Sequence, residues 1–276
     1  MKKSPAFFLS ILLLALTLIT GCGSEKQEGL TPRYQTPTGW LSYSYENIKL
    51  VYPPNHLHAG TMHDFAVWYN WALRQDCQFL QMRIPVDTLV VFWYTGHGQG
   101  NELTGHYYPW ADSNLIHFWL PSHKGPTLMQ FLLPYWLDKQ PQYQFLKHGM
   151  ITLLDYSGNN YHDLTWRYYQ NDSLVPLTEL AVDTTVDSDK ERWRSALSAS
   201  FVDFLVIHYG MEGLRLMYRA ETDWSLATHG ILHAPSDTLQ AQWLTFVEQV
   251  VKGEWPPQRP DSATGGKLQF DPESEG

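Results

Sequence analysis

The chain has 276 residues, room for one large domain or two small ones, and its 43% hydrophobic content supplies a sizeable core and excludes wholesale disorder. With 19 Lys+Arg against 28 Asp+Glu, the formal net charge of −9 excludes a nucleic-acid-binding surface and leaves no polybasic patch for an anionic lipid surface. Aromatic residues reach 14%, which fits an aromatic-rich core or, on exposed faces, a carbohydrate or peptide surface.

At the N-terminus, Lys2 and Lys3 precede an apolar run from Ala6 to Thr20, too short for a comfortable span of about 20 residues. Ile19-Thr20-Gly21-Cys22 then resembles the lipobox of bacterial lipoproteins, in which the chain is cut before the Cys and the Cys is lipidated. The resemblance implies a signal peptide over residues 1–21, lipid on Cys22 and membrane attachment through that lipid. Gly23 stands where an Asp would resemble an inner-membrane retention signal, so the expected place is the outer membrane of a Gram-negative cell, facing the periplasm. Without Lys2 and Lys3 the mature chain has 17 basic residues against 28 acidic ones, a net charge of −11. Cys77 is then its remaining thiol, and the pattern reads as a buried small hydrophobe at a helix end.

Residues 22–39 read as a flexible tether. Trp40 to Tyr45 and Ile48 to Tyr52 flank Glu46-Asn47 as a β-hairpin. His58 to Phe79 has helical spacing. His56, His58 and His63 cluster near its start, beside Pro53-Pro54, and read as a solvated loop rather than a metal site. Ile84 to Tyr94 is a strand, apolar on both faces in its second half, which suits a central position. Gly96 to Asn101 is a glycine-rich loop without the Lys-Ser/Thr of a phosphate cradle. Asn114 to Leu120 alternates as another strand.

Pro126 to Leu137 and Gln142 to Tyr156 read as helices, the second closed by Ser157-Gly158-Asn159-Asn160. His148, Thr152 and Asp155 share one stripe of that second helix. Tyr161 to Asp172 is a polar and aromatic connection leading to Val175–Ala181. Arg192 to Tyr209 is a long helix stopped at Gly210, Glu212 to Arg219 a short one, and Asp237 to Val251 the last. His229 and His233 stand four apart, but Ala234-Pro235 follows, so the pair reads as lying on a short turn. Residues 253–276 are rich in Pro, Gly, Ser and acid and read as a disordered tail, which leaves one domain over residues 40–252.

Ser200-Phe201-Val202 followed by Tyr209-Gly210, with Gly213-Leu214-Arg215 and later Leu239 to Trp243, resembles the C-terminal helical part of the gluzincin-like peptidases, specifically the bacterial peptidase-MA-like group. The order of hairpin, long helix, sheet and paired helices matches over roughly residues 40–251. The resemblance implies an α+β, zincin-like fold: an N-terminal mixed β-sheet with helices, followed by a mostly helical C-terminal half. In that family a His-Glu-x-x-His helix supplies two zinc ligands and the general base, and a later Glu supplies the third ligand. His148 matches the first His, Gly149 replaces the base, Thr152 replaces the second His, and Glu179 matches the later Glu. A catalytic zinc needs about three protein ligands and a water, and a missing base removes the proton path. The expectation is therefore a catalytically inactive domain with a vestigial site, no cofactor, and a peptide or protein partner received by an edge strand, for which Asn114–Leu120 is the candidate. One alternative is an active peptidase with zinc on an unorthodox set, His148, Asp155, His162 and Glu179. Another is a cell-wall or glycan binder using Tyr107, Tyr108, Trp110 and Trp119.

Overall fold

The structure, a computed structural model, describes residues 36–112, 115–137, 139–182 and 188–255, the side chains of 188–192 excepted. The expected signal peptide, Cys22, residues 22–35 of the tether and residues 256–276 of the tail lie outside these residues. The N-terminal half builds one five-stranded sheet from β1 (Leu41–Tyr45), β2 (Ile48–Tyr52), β3 (Leu89–Trp93), β4 (Trp110–Asp112) and β5 (Leu115–Phe118). The strand order is β1-β2-β3-β5-β4. The hairpin turns at Glu46-Asn47, with Glu46 at φ 44 and Tyr45 paired to Ile48. β2, β3 and β5 run parallel, and β4 returns antiparallel along β5 to form the sheet's far edge.

The period of two divides the sheet cleanly. Ile48 and Leu50 of β2, Leu89, Val91 and Trp93 of β3, and Ile116 and Phe118 of β5 enter the main core. On that face, α1 (Met62–Phe79) packs against β1 and β2, and α3 (Gly125–Trp136) packs against β4 and β5. The opposite face carries an aromatic stack that crosses three strands. Phe92 and His117 lie 5.4 Å apart at 18°, His117 and Trp110 4.7 Å at 12°, and Trp110 and His106 4.2 Å at 23°. His117 is fully buried in this stack, 2.7 Å from the Tyr94 hydroxyl. Burial pushes its imidazole down to a pKa of about 4.

Helices fill the second half: α4 (Gln144–Leu153), α5 (Tyr161–Gln170), α6 (Leu177–Val182), α7 (Ser188–Arg219), α8 (Trp224–Leu232) and α9 (Ser236–Val251). α4 lies along α7, and α5 is held between α7 and α9. α7 is interrupted at Gly210, where φ 69 and ψ 174 leave the helical region, so the expected stop there is a break between two helical stretches. Phe201, Phe204, Trp243 and Phe246 are buried between α7 and α9, each contributing on the order of 2 kcal/mol through lost apolar exposure. Among the described residues, no helix is long and apolar enough to cross a membrane.

Several expectations change. Residues 97–104 form a helix, α2, not a loop: the Gln99 side chain accepts the Thr95 backbone N–H at 2.9 Å, and Gly105 ends the helix in the left-handed region. Tyr161–Gln170 is also helical. Asn160, read as part of a terminator, caps this helix by accepting the His162 and Asp163 N–H groups at 3.1 Å. His229 sits on α8, and His233 is its left-handed cap. The tail does not start at 253: Trp255 packs 5.4 Å from both His208 and Phe246.

Candidate functional site

β4 is three residues long, and its position at the sheet edge follows from its pairing to β5 alone. Asn114–Leu120, the sequence candidate for the edge, contributes instead the interior strand β5, flanked by β3 and β4. Its unbroken burial explains this, since an edge strand keeps one side open to water.

Beside β4 on the helical side opens a cleft of about 240 Å³. Ala111 of β4 forms one rim. Gln130, Leu133 and Pro134 of α3, Leu137 beyond its end, Lys147 of α4 and Tyr218 of α7 also line the cleft. Lys139 and Gln140, from the connection between α3 and α4, complete the wall. The Lys147 ammonium donates to Gln140 Oε1 at 3.0 Å, and its half-burial lowers its pKa from the usual lysine value. Lys139 pairs with Glu221, whose side chain is 75% exposed. Burial raises the Tyr218 phenol well above the tyrosine range. The lining combines Lys139, Lys147, Gln130, Gln140 and Tyr218 with the apolar Ala111, Leu133, Pro134 and Leu137.

The positions matched to the zinc-site motif fall in different environments. His148 is on the exposed side of α4, one residue from the cleft-lining Lys147. Gly149 is buried where α4 crosses α7: a Cβ there would stand 2.5 Å from the Ser198 carbonyl oxygen and 2.6 Å from Val202 Cγ2. A side chain at 149 would force α4 and α7 apart, so the close helix contact favours glycine there. Thr152 is half-buried, and Glu179 is exposed on α6.

The alternative metal set is not gathered. Asp155 is occupied by its own loop, accepting the Tyr161 hydroxyl at 2.5 Å and the Ser157 N–H at 2.8 Å. Both ring nitrogens of His162 are engaged, Nδ1 with Ser200 Oγ at 3.0 Å and Nε2 with Asp203 Oδ2 at 2.8 Å. Among the described residues, no three His, Cys, Asp or Glu side chains are grouped to hold a metal ion, the His56, His58 and His63 cluster included. His56 is instead buried, its Nε2 3.1 Å from the Tyr94 carbonyl oxygen.

Sequence reading missed the Ser200–His162–Asp203 constellation. It has the side chains of an acyl-transfer triad, with the imidazole reversed relative to that arrangement. Ser200 is fully buried, and its oxygen already accepts the Trp243 indole N–H at 3.0 Å. No substrate carbonyl can reach it, so the group is a polar tie joining α5, α7 and α9. Of the four aromatic candidates for a glycan surface, Trp119 is buried and Trp110 is stacked within the sheet face, while Tyr107 and Tyr108 are exposed. Those two meet edge to face at 80°, which gives no common flat platform for a sugar ring.

The chain was compared with protein-family models, curated proteins and solved structures, and none matches.

Proposed function

We propose that this chain is a cell-envelope lipoprotein whose zincin-like domain has no catalytic chemistry and holds an extended peptide or protein segment along the outer edge of β4. One observation carries the reading: a short antiparallel strand ends the sheet beside a cleft lined by α3 and α4. In gluzincin-like peptidases the edge strand receives an extended chain, by main-chain pairing of the β-addition kind, and the groove also holds the zinc helix. Here the helix packed against the edge strand is α3, and Gly125–Trp136 contains no His, Cys, Asp or Glu. Gly149, matched to the base, is closed off by α7, and Glu179 lies on a separate helix. An edge strand beside a groove without a ligand set suits holding a chain rather than cutting one. On this reading Cys22 carries lipid, and the domain faces the periplasm from the outer membrane.

Hydrogen exchange with a panel of extended peptides tests it. Added protection is expected at Trp110–Asp112. Metal-dependent cleavage of a peptide library that vanishes in Glu179→Ala, or one equivalent of tightly held zinc lost on His148→Ala, would overturn the inactive reading.

A further inference from the structure

We propose that the cleft beside β4 is an anion subsite that takes one carboxylate side chain, Asp or Glu, of a peptide lying along the strand edge. This rests on the peptide-binding reading and adds what chemistry enters the cleft. In a chain with 19 basic residues and a net charge of −9, two lysines, Lys139 and Lys147, converge on one small cavity from different segments. No carboxylate lines it among the described residues. Lys139 has an exposed counter-charge in Glu221, but Lys147 bonds to the neutral amide oxygen of Gln140. A neutral acceptor satisfies one ammonium proton, and among the described residues no carboxylate compensates the Lys147 charge.

Half-burial has already removed part of the hydration of Lys147, which is why its pKa falls. A carboxylate placed beside it would restore the lost stabilisation through charge-assisted hydrogen bonds. Among the described residues no arginine lines the cleft, so it lacks the planar fork that favours bidentate phosphate. About 240 Å³ is below the range of roughly 300–1,000 Å³ that encloses drug-sized ligands, and suits a single side chain. Leu133 and Leu137 offer an apolar wall to its methylene groups. The negative body repels an acidic peptide at long range, so discrimination must arise at contact distance.

The test compares strand-forming octapeptides that differ only in a central Glu or Gln, by fluorescence anisotropy on the full domain. Alongside, N-acetylglutamate amide is titrated while the Lys147 side chain is followed by NMR. The Glu peptide is expected to bind about tenfold tighter, the ratio given by about 1.4 kcal/mol. In Lys147→Met the ratio of Glu-peptide to Gln-peptide affinity should fall to about one. Equal affinity of wild type for both peptides would overturn the subsite and leave the peptide reading standing. Perturbation of Lys147 by N-acetylglutamate amide with no binding of either peptide would support the anion chemistry and sink the strand-edge reading. Silence in both assays would overturn both.

Discussion

At the scale of single residues, the two most informative positions are a glycine and a histidine. Gly149 looks, in sequence, like a deleted catalytic base; its surroundings show that a side chain there would have to push α4 and α7 apart. Gly149→Ala should cost about 1–3 kcal/mol through overpacking against the Ser198 carbonyl and Val202. A urea midpoint lowered at constant slope would confirm it; an unchanged midpoint would show that the helices separate freely. His117 sets a pH response. Its folded pKa of about 4 lies below the roughly 6.5 of a free imidazole. Between those values the unfolded chain takes up a proton that the folded chain refuses. The stability is therefore complete above about pH 6.5 and is lost as pH falls toward 4, on the order of 3 kcal/mol in all. His117→Phe should flatten the stability profile over this window; an unaltered slope would assign the pH response elsewhere.

At the scale of elements, periodicity made α1, α3, α4 and α9 legible, because each has a broad apolar stripe. It failed where tertiary contacts override local preference. α2 contains Gly98 and Gly100, poor helix formers, and forms where Gly100 lets the backbone approach the Trp119 ring: a Cβ there would lie 2.4 Å from it. α5 was hidden because the residues it buries fully are the polar His162 and Thr165, with Tyr161, Trp166 and Tyr168 packed beside them only partly buried. β4 is too short to show alternation. The polar tie between α5, α7 and α9 gave no sequence signal, because His162 and Trp243 are remote from Ser200 and Asp203. Ser200→Ala removes the acceptor of the buried Trp243 N–H, and Asp203→Ala that of the His162 Nε2–H. Each should cost about 1–3 kcal/mol. The double variant should cost less than the sum, as expected for one network; strict additivity in denaturant unfolding would argue that the two bonds act separately.

At the scale of the whole molecule, the division into a mixed sheet and a helical half was readable from element order. The cleft was not, because Ala111, Gln130, Lys147 and Tyr218 come from four elements whose approach no local pattern encodes. The membrane attachment proposed for Cys22 belongs to this scale as well, since the acidic body offers no electrostatic substitute for lipid. Cys22→Ser should move the protein from the membrane to the soluble fraction on cell fractionation and abolish incorporation of labelled fatty acid. A variant that still sediments with membranes would assign the attachment to another part of the chain.

The packing at Gly149 also bears on evolutionary reversibility. If a carboxylate once stood there, its loss allowed α4 and α7 to close to a spacing that the ancestral side chain could not have shared. A single back-substitution to Glu would then meet the Ser198 backbone instead of a solvent-filled groove. Regaining hydrolysis would require prior changes along α7 that confer no benefit alone. On the peptidase-like reading proposed above, such a domain would be held in a non-catalytic state by epistasis, and selection could diversify the rim of its cleft without passing back through peptidase activity.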